Sequence, residues 1–147
     1  MLRYLLDTNL LIYCFDGANS DKQTRALEVI RRVGAFPNAA LPAQALAEFA
    51  NVAMRRLDPP LSPNEVYRQV ELYTQVFPIL PLTPAVVLEA LRGVRDHQFS
   101  YYDAQIWAAA RLSQIPLLLS EDFSSDATVE GVTVLNPLDA TFDMSDL

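Results

Sequence analysis

Apolar residues along this chain fall into short runs separated by longer stretches with helical spacing. Leu2–Leu6 reads as a buried strand and ends at Asp7-Thr8-Asn9, three residue types that cap helices. From Ser20 the positions Ala26, Leu27, Ile30 and Val33 recur with the period of an amphipathic helix that Gly34 ends. A short strand, Ala39–Leu41, leads into a helix opened by Pro42, with Leu46, Phe49, Val52 and Ala53 on its apolar face. Asp58-Pro59-Pro60 breaks that helix. Ser62-Pro63-Asn64-Glu65 starts the next with the pattern of a capping box, and its row Val66, Val70, Tyr73, Phe77 stops before Pro78. Ile79–Leu82 is expected as a third strand, Thr83-Pro84 as a helix start, and Ser100 as the cap of a helix carrying Ile106, Trp107, Ala110 and Leu112. Pro116–Leu119 and Val132–Leu135 complete a set of five strands.

Strands alternating with helices predict an α/β fold whose central parallel sheet is covered on both faces. Function in such folds gathers beyond the carboxyl ends of the strands. Asp7 and Asp122 stand there, just after the first and fourth strands.

At 147 residues, with 51% hydrophobic and 20% charged positions, the chain suits one packed domain, 1–147, and not a disordered polymer. No apolar run approaches the roughly 20 residues that cross a bilayer, and the early Arg3 and Asp7 leave no apolar core for a signal peptide. The single Cys14 permits no internal disulfide, so a reducing cytoplasm is the expected home. A net charge of −7 is wrong for holding nucleic acid by phosphate neutralisation alone. It suits carboxylates gathered around cations, or a protein with a basic partner.

Four acids stand out: Asp7, Glu48, Asp103 and Asp122. Each has a plain structural reading. Asp7 is a possible helix cap, although Thr8 and Asn9 could serve equally. Glu48 lies mid-helix, crowded by Leu46, Phe49 and Ala50, with Gln44, Asn51 and Arg55 sharing its side; a half-buried carboxylate there needs a cation or donors. Asp103 follows Ser100 by three, as in a capping box. Asp122 could be a strand-exit turn residue. Together they sit on two strand ends and two helices that a doubly wound sheet could bring into one crevice. Two carboxylates about 4 Å apart repel by about 4 kcal/mol at an effective dielectric near 20, so four in one pocket call for divalent cations. Oxygen ligands without soft donors select Mg²⁺ or Mn²⁺, whereas Cys14 and His97 are isolated and offer zinc no chelating pair. Such a site suits phosphodiester hydrolysis. It also answers the charge puzzle, since setting the four acids aside leaves −3.

Several segments in this order resemble a PIN-domain ribonuclease of the VapC toxin type: Tyr4-Leu5-Leu6-Asp7-Thr8-Asn9, Gln44-Ala45-Leu46-Ala47-Glu48-Phe49, Ser100-Tyr101-Tyr102-Asp103-Ala104, Leu119-Ser120-Glu121-Asp122-Phe123 and Val132-Thr133-Val134-Leu135-Asn136-Pro137. The resemblance covers nearly the whole chain. It implies an α/β/α sandwich on a parallel sheet of four to five strands, Mg²⁺-dependent cleavage of RNA, inhibition by a cognate antitoxin, and a homodimer. By position, Asp7 and Asp103 resemble the principal metal ligands, Asp122 the fourth acid, and Glu48 the acid that binds metal or positions water. Asn9 and Ser120 would orient the carboxylates. One departure stands out: Ser124-Ser125-Asp126 occupies the place where the family often has a glycine, which leaves open whether Asp126 joins the site.

Phosphoaspartyl enzymes also place an aspartate after the first strand, but they want a lysine after a later strand, and the only lysine, Lys22, precedes the second. A housekeeping RNA-processing nuclease and a PIN-like protein-binding module remain alternatives to a toxin. Arg55, Arg56, Arg92, Arg95 and Arg111 are candidates for contacts to an RNA backbone. Leu57, Tyr67, Tyr73 and Phe77, beside the proline-rich break, read either as a seat for an antitoxin segment or as core.

Overall fold

The computed structural model describes residues 1–123 and 127–147. The first apolar run forms strand β1 (Tyr4–Leu6), followed by helices α1 (Thr8–Tyr13) and α2 (Ser20–Gly34). Strand β2 (Ala39–Pro42) feeds α3 (Ala43–Arg55), then come α4 (Pro63–Val76), β3 (Ile79–Leu80), α5 (Pro84–His97) and α6 (Tyr101–Leu112). The chain closes with β4 (Leu117–Leu119), β5 (Thr128–Val129) and β6 (Val132–Leu135). No helix among the described residues is long and apolar enough to cross a membrane.

The strands form one sheet in the order β3-β2-β1-β4-β6-β5. All pairs are parallel except β5 with β6. This is the expected α/β/α sandwich, PIN-like in topology, with six strands where four to five were expected. The extra strand is two residues long and too short to show alternation. It folds back through Glu130 and Gly131, both at positive φ (49° and 85°), the backbone of a two-residue hairpin turn.

Strand alternation sorts the core into two layers. Tyr4, Leu6, Leu41 and Leu119 face α1–α4 together with Leu10, Val29, Phe49 and Tyr73. Leu5, Ala40, Leu118 and Val134 face α5 and α6 together with Ala90, Ile106 and Trp107. Leu57, Tyr73 and Phe77 are buried in the first layer, so three of the four residues considered for partner binding are core; Tyr67 alone is exposed.

The capping box at Ser62 and Glu65 forms as the sequence predicts, with Pro63 in the first turn. The one at Ser100 does not. Ser100 occupies the cap position of α6, yet its side chain makes no capping bond, which leaves Asp103 free of that role. Helix α1 begins one residue earlier than Asn9, with Asp7 itself as the N-cap accepting from the Thr8 N–H at 2.6 Å. Thr8 and Asn9 lie inside the helix and cannot substitute for it, contrary to the redundancy expected from sequence.

Gly93 on α5 lets α6 approach closely. A Cβ there would stand 2.8 Å from Cζ3 of Trp107 and 3.3 Å from the Phe99 ring. Trp107 is only 1% exposed and has no room to yield. Gly93→Ala gains about 1 kcal/mol of helix propensity but overpacks a rigid contact at a cost of about 1–3 kcal/mol. We expect a lower urea midpoint for Gly93→Ala than for wild type; an unchanged or higher midpoint would show that the α5–α6 contact is loose.

Candidate active site

Strand order reverses between β1 and β4, because the connections from β1 run toward β2 and β3 while β4 lies on the opposite side. A crevice at such a switch point is where open parallel sheets bind ligands. Asp7 leaves the end of β1 with its N–H bonded to the Leu119 carbonyl of β4 at 3.0 Å. The chain leaves β4 through Ser120, Glu121 and Asp122. Glu48 comes in from α3 and Asp103 from the first turn of α6. All four acids line one pocket of about 150 Å³ with Thr8, Asn9, Ile12, Gln44, Tyr102 and Ile106.

The carboxylates differ sharply in surroundings. Asp7 is 4% exposed, and its two oxygens accept from the Thr8 N–H and from the Ser120 hydroxyl, both at 2.6 Å. Burial pushes its carboxyl up to about 6 from the ordinary 3.8, and repulsion from Asp122 and Asp103 adds to this; the bonds from Ser120 and Thr8 pull the other way. Asp122 is also raised, by desolvation first and then by Asp103, while its bond from the Asn9 amide at 3.3 Å opposes the rise. Glu48 is half-buried and has a donor on each oxygen: the Thr8 hydroxyl at 3.0 Å and the Gln44 amide at 2.5 Å. Asp103 has no hydrogen-bond partner among the described residues and lines the pocket from α6.

The supporting groups form two sets. Ser120 donates to Asp7, accepts from the Asp122 N–H at 3.0 Å, and lies 3.5 Å from the Asn9 amide. Asn9 also receives the Glu121 N–H at 3.4 Å, so one side chain spans the strand exit. On the other side Gln105, buried on α6, donates to Gln44 at 2.5 Å, and Gln44 in turn donates to Glu48 and the Tyr102 carbonyl. Thr8, Gln44 and Gln105 were not picked out from sequence as site residues. The available signal was Gln44, one helical turn before Glu48 on the same side; the contact with Gln105 crosses helices and has no local signature.

Outside the pocket, Glu121 accepts from Tyr13 at 2.8 Å and pairs with Lys22 at 2.5 Å, anchoring the segment that carries Asp122. Asp126, considered as a fifth acid, lies outside the described residues. Of the candidate arginines, Arg92 and Arg111 are tied up with Glu89 and Glu130, and Arg95 with Asp96. Arg55 and Arg56 are exposed and have no ion-pair partner among the described residues. Arg56 lines a broader hollow of about 660 Å³ that continues the pocket past Glu48, with Asn51, Leu82 and the exposed Tyr102.

The donor set is all oxygen, as a hard divalent cation requires. Among the described residues no three His, Cys, Asp or Glu side chains are already drawn into coordinating geometry. The raised carboxyls of Asp7 and Asp122 nevertheless mark a pocket whose mutual repulsion a cation would relieve, so the residues present fit such a group.

The raised carboxyl has a consequence for stability. Below its ordinary 3.8, Asp7 is protonated in both folded and unfolded states. Between that value and about 6 the folded state holds a proton that the unfolded state has lost, so stability falls as pH rises through this window. The difference corresponds to about 3 kcal/mol once both states are ionised. Asparagine caps helices as well as aspartate does. We therefore expect Asp7→Asn, in chelator, to melt higher than wild type above about pH 6 and to lose that advantage below about pH 4. Melting temperatures across this range check the claim; a wild type that stays the more stable protein at neutral pH would refute it.

The sequence profile of the PIN domain matches residues 4–128, a span that contains all four acids. No curated protein matches the chain. Among solved structures it is similar to a toxin–antitoxin complex from Klebsiella pneumoniae, with 20% identity over 91% of this chain and 97% of that one, at a TM-score of 0.67. It is also similar to VapC20 of Mycobacterium tuberculosis, a toxin that cleaves the sarcin-ricin loop, with 19% identity, 86% and 97% coverage and a TM-score of 0.64. A DNA-bound VapBC from Salmonella typhimurium gives 16% identity, 91% and 97% coverage and a TM-score of 0.63. At these identities the structures speak for the fold; the profile match, over most of the chain, places this protein in the PIN-domain family.

Proposed function

We propose that this chain is a Mg²⁺-dependent endoribonuclease and the toxin of a type II toxin–antitoxin pair, acting in the cytoplasm. The observation that carries the nuclease reading is the convergence of Asp7, Glu48, Asp103 and Asp122, from four separate elements, on one pocket at the sheet's switch point. The toxin reading is supported by the kind of protein the fold is shared with, two of which are described as a toxin–antitoxin complex and a toxin.

In this reading Asp7, Asp103 and Asp122 hold the cation, with Mn²⁺ able to substitute. When bound, the ion supplies a water of lowered pKa and stabilises charge on the phosphate oxygens. Asp7 is held in place by Thr8 and Ser120, and Asp122 by Asn9. Glu48, held on both oxygens by Thr8 and Gln44, orients the attacking water and takes up its proton. Arg56 and Tyr102 lie where the strand would leave past Glu48, and Arg56 offers a charge to a phosphate there.

Asp7→Asn and Asp103→Asn are each expected to lower RNA cleavage by at least about a hundred-fold with the fold retained, as loss of a metal ligand would do. Chelator should do the same to wild type, reversibly on adding Mg²⁺ or Mn²⁺; full cleavage in excess chelator would sink the proposal. For the toxin role, the product of the neighbouring upstream gene should co-purify with this chain and suppress its cleavage. Light scattering on the free chain should give the mass of a homodimer. A neighbour that neither binds nor inhibits would argue for a housekeeping nuclease.

A further inference from the structure

A second cavity, of about 300 Å³, opens on the far side of Asp103. It is lined by His97, Phe99, Trp107, Phe123, Val129 and Val134, and Asp103 is common to its wall and to that of the acid pocket. From this arrangement we propose that the cavity is a subsite for one unpaired nucleobase of the substrate strand, next to the cleaved phosphodiester. The proposal rests on the ribonuclease reading and adds to it where the strand is gripped.

Three observations carry it. The first is the chemistry of the walls. Phe99 stands at the centre of an aromatic cluster, 5.4 Å from Trp107, 5.5 Å from His97 and 5.6 Å from Phe123 between ring centroids. Among the described residues the cavity's lining includes no lysine or arginine, and Asp103 would repel a phosphate. A flat, uncharged ring is the part of a nucleotide that fits.

The second is the state of Phe123. Its backbone sits at φ 58°, in the left-handed region that a bulky side chain rarely adopts and that costs about 1 kcal/mol or more. It is one residue after Asp122. The chain therefore accepts strain at the point where an aromatic ring, half-buried, is turned onto the cavity wall beside the acids.

The third is rigidity. Trp107 forms the floor, 1% exposed, with its indole N–H donated to the Val129 carbonyl at 3.2 Å and Gly93 packed behind it. His97 is held by Glu130 at 2.7 Å. With the indole N–H and His97 Nε2 engaged inside the protein, stacking on the ring of Phe123, which Phe99 meets at 82°, leads over reading of the base edge. The subsite thus selects for an unpaired base more strongly than for its identity.

Short oligoribonucleotides carrying 2-aminopurine at each position within two nucleotides of the cleaved bond provide the test. Bound in chelator at low salt, one of them should lose fluorescence on wild-type protein. The loss should be absent with Phe123→Leu and restored with Phe123→Trp. In Mg²⁺, an abasic nucleotide at that same position should lower kcat/KM for wild type by on the order of ten-fold. For Phe123→Leu, already slower by a similar factor, it should change little further. Rescue by tryptophan separates a lost stacking face from a lost fold, and melting curves confirm the latter. If wild type cuts RNA but neither abasic substitution nor Phe123→Leu matters, the subsite falls while the ribonuclease reading stands. Phe123-dependent quenching without cleavage would keep the subsite and remove the ribonuclease. If neither quenching nor cleavage occurs, both are wrong.

Discussion

The structure turns on one buried carboxylate at the end of its central strand. Asp7 follows β1, the strand flanked by β2 and β4, so its side chain emerges where the sheet is most enclosed. A carboxylate in such a place is costly unless donors or a cation meet it. Thr8 and Ser120 supply a donor each, and burial still leaves the carboxyl raised to about 6. The remaining deficit is one that a cation in the pocket would relieve. Asp103 and Asp122 increase it by repulsion and define where the compensating charge must sit.

The other polar side chains act as a frame around that deficit. Ser120 and Asn9 stitch the exits of β1 and β4 together, which ties the positions of Asp7 and Asp122 to one another. Across the pocket, the relay from Gln105 through Gln44 fixes one oxygen of Glu48 while Thr8 fixes the other. Thr8 links both halves, giving its N–H to Asp7 and its hydroxyl to Glu48. Lys22 and Tyr13 hold Glu121 from outside, keeping the segment with Asp122 over the pocket. Such support decides whether a carboxylate cluster is positioned or merely present.

Charge is divided across the molecule. The arginines on α5 and α6 are spent on Glu89, Asp96 and Glu130, which fasten the helix layer to the β5–β6 turn. Among the described residues that leaves Arg56 as the arginine without an ion pair that lines the hollow beside Glu48, in keeping with a net charge of −7. On the ribonuclease reading proposed above, an anionic substrate would be held chiefly at the acid pocket through a bound cation, with aromatic surfaces at Tyr102 and at Phe99 and Phe123 beside it.

The sequence by itself determined the alternation of strands and helices, the parallel sheet and the four acids at their places in it. These follow from local periodicity and from where acids fall relative to the strand ends, as Asp7 after β1 and Asp122 after β4 illustrate. Capping at Ser62 was legible because its partner Glu65 lies three residues away. What only the tertiary structure decided depends on contacts between distant segments. Ser100 and Asp103 carry the same spacing as a capping box, yet no capping bond forms. Tyr73 and Phe77 look the same from sequence whether they cover a core or receive a partner; packing of Tyr73 against Phe49 of α3 and of Phe77 near Gly34 of α2 put them inside. Gln105 reaches Glu48 through Gln44, and Phe123, at a left-handed backbone position, lines the wall of a cavity. Periodicity records which side of an element is buried; it does not record what that side meets, and the support of the site is made of such meetings.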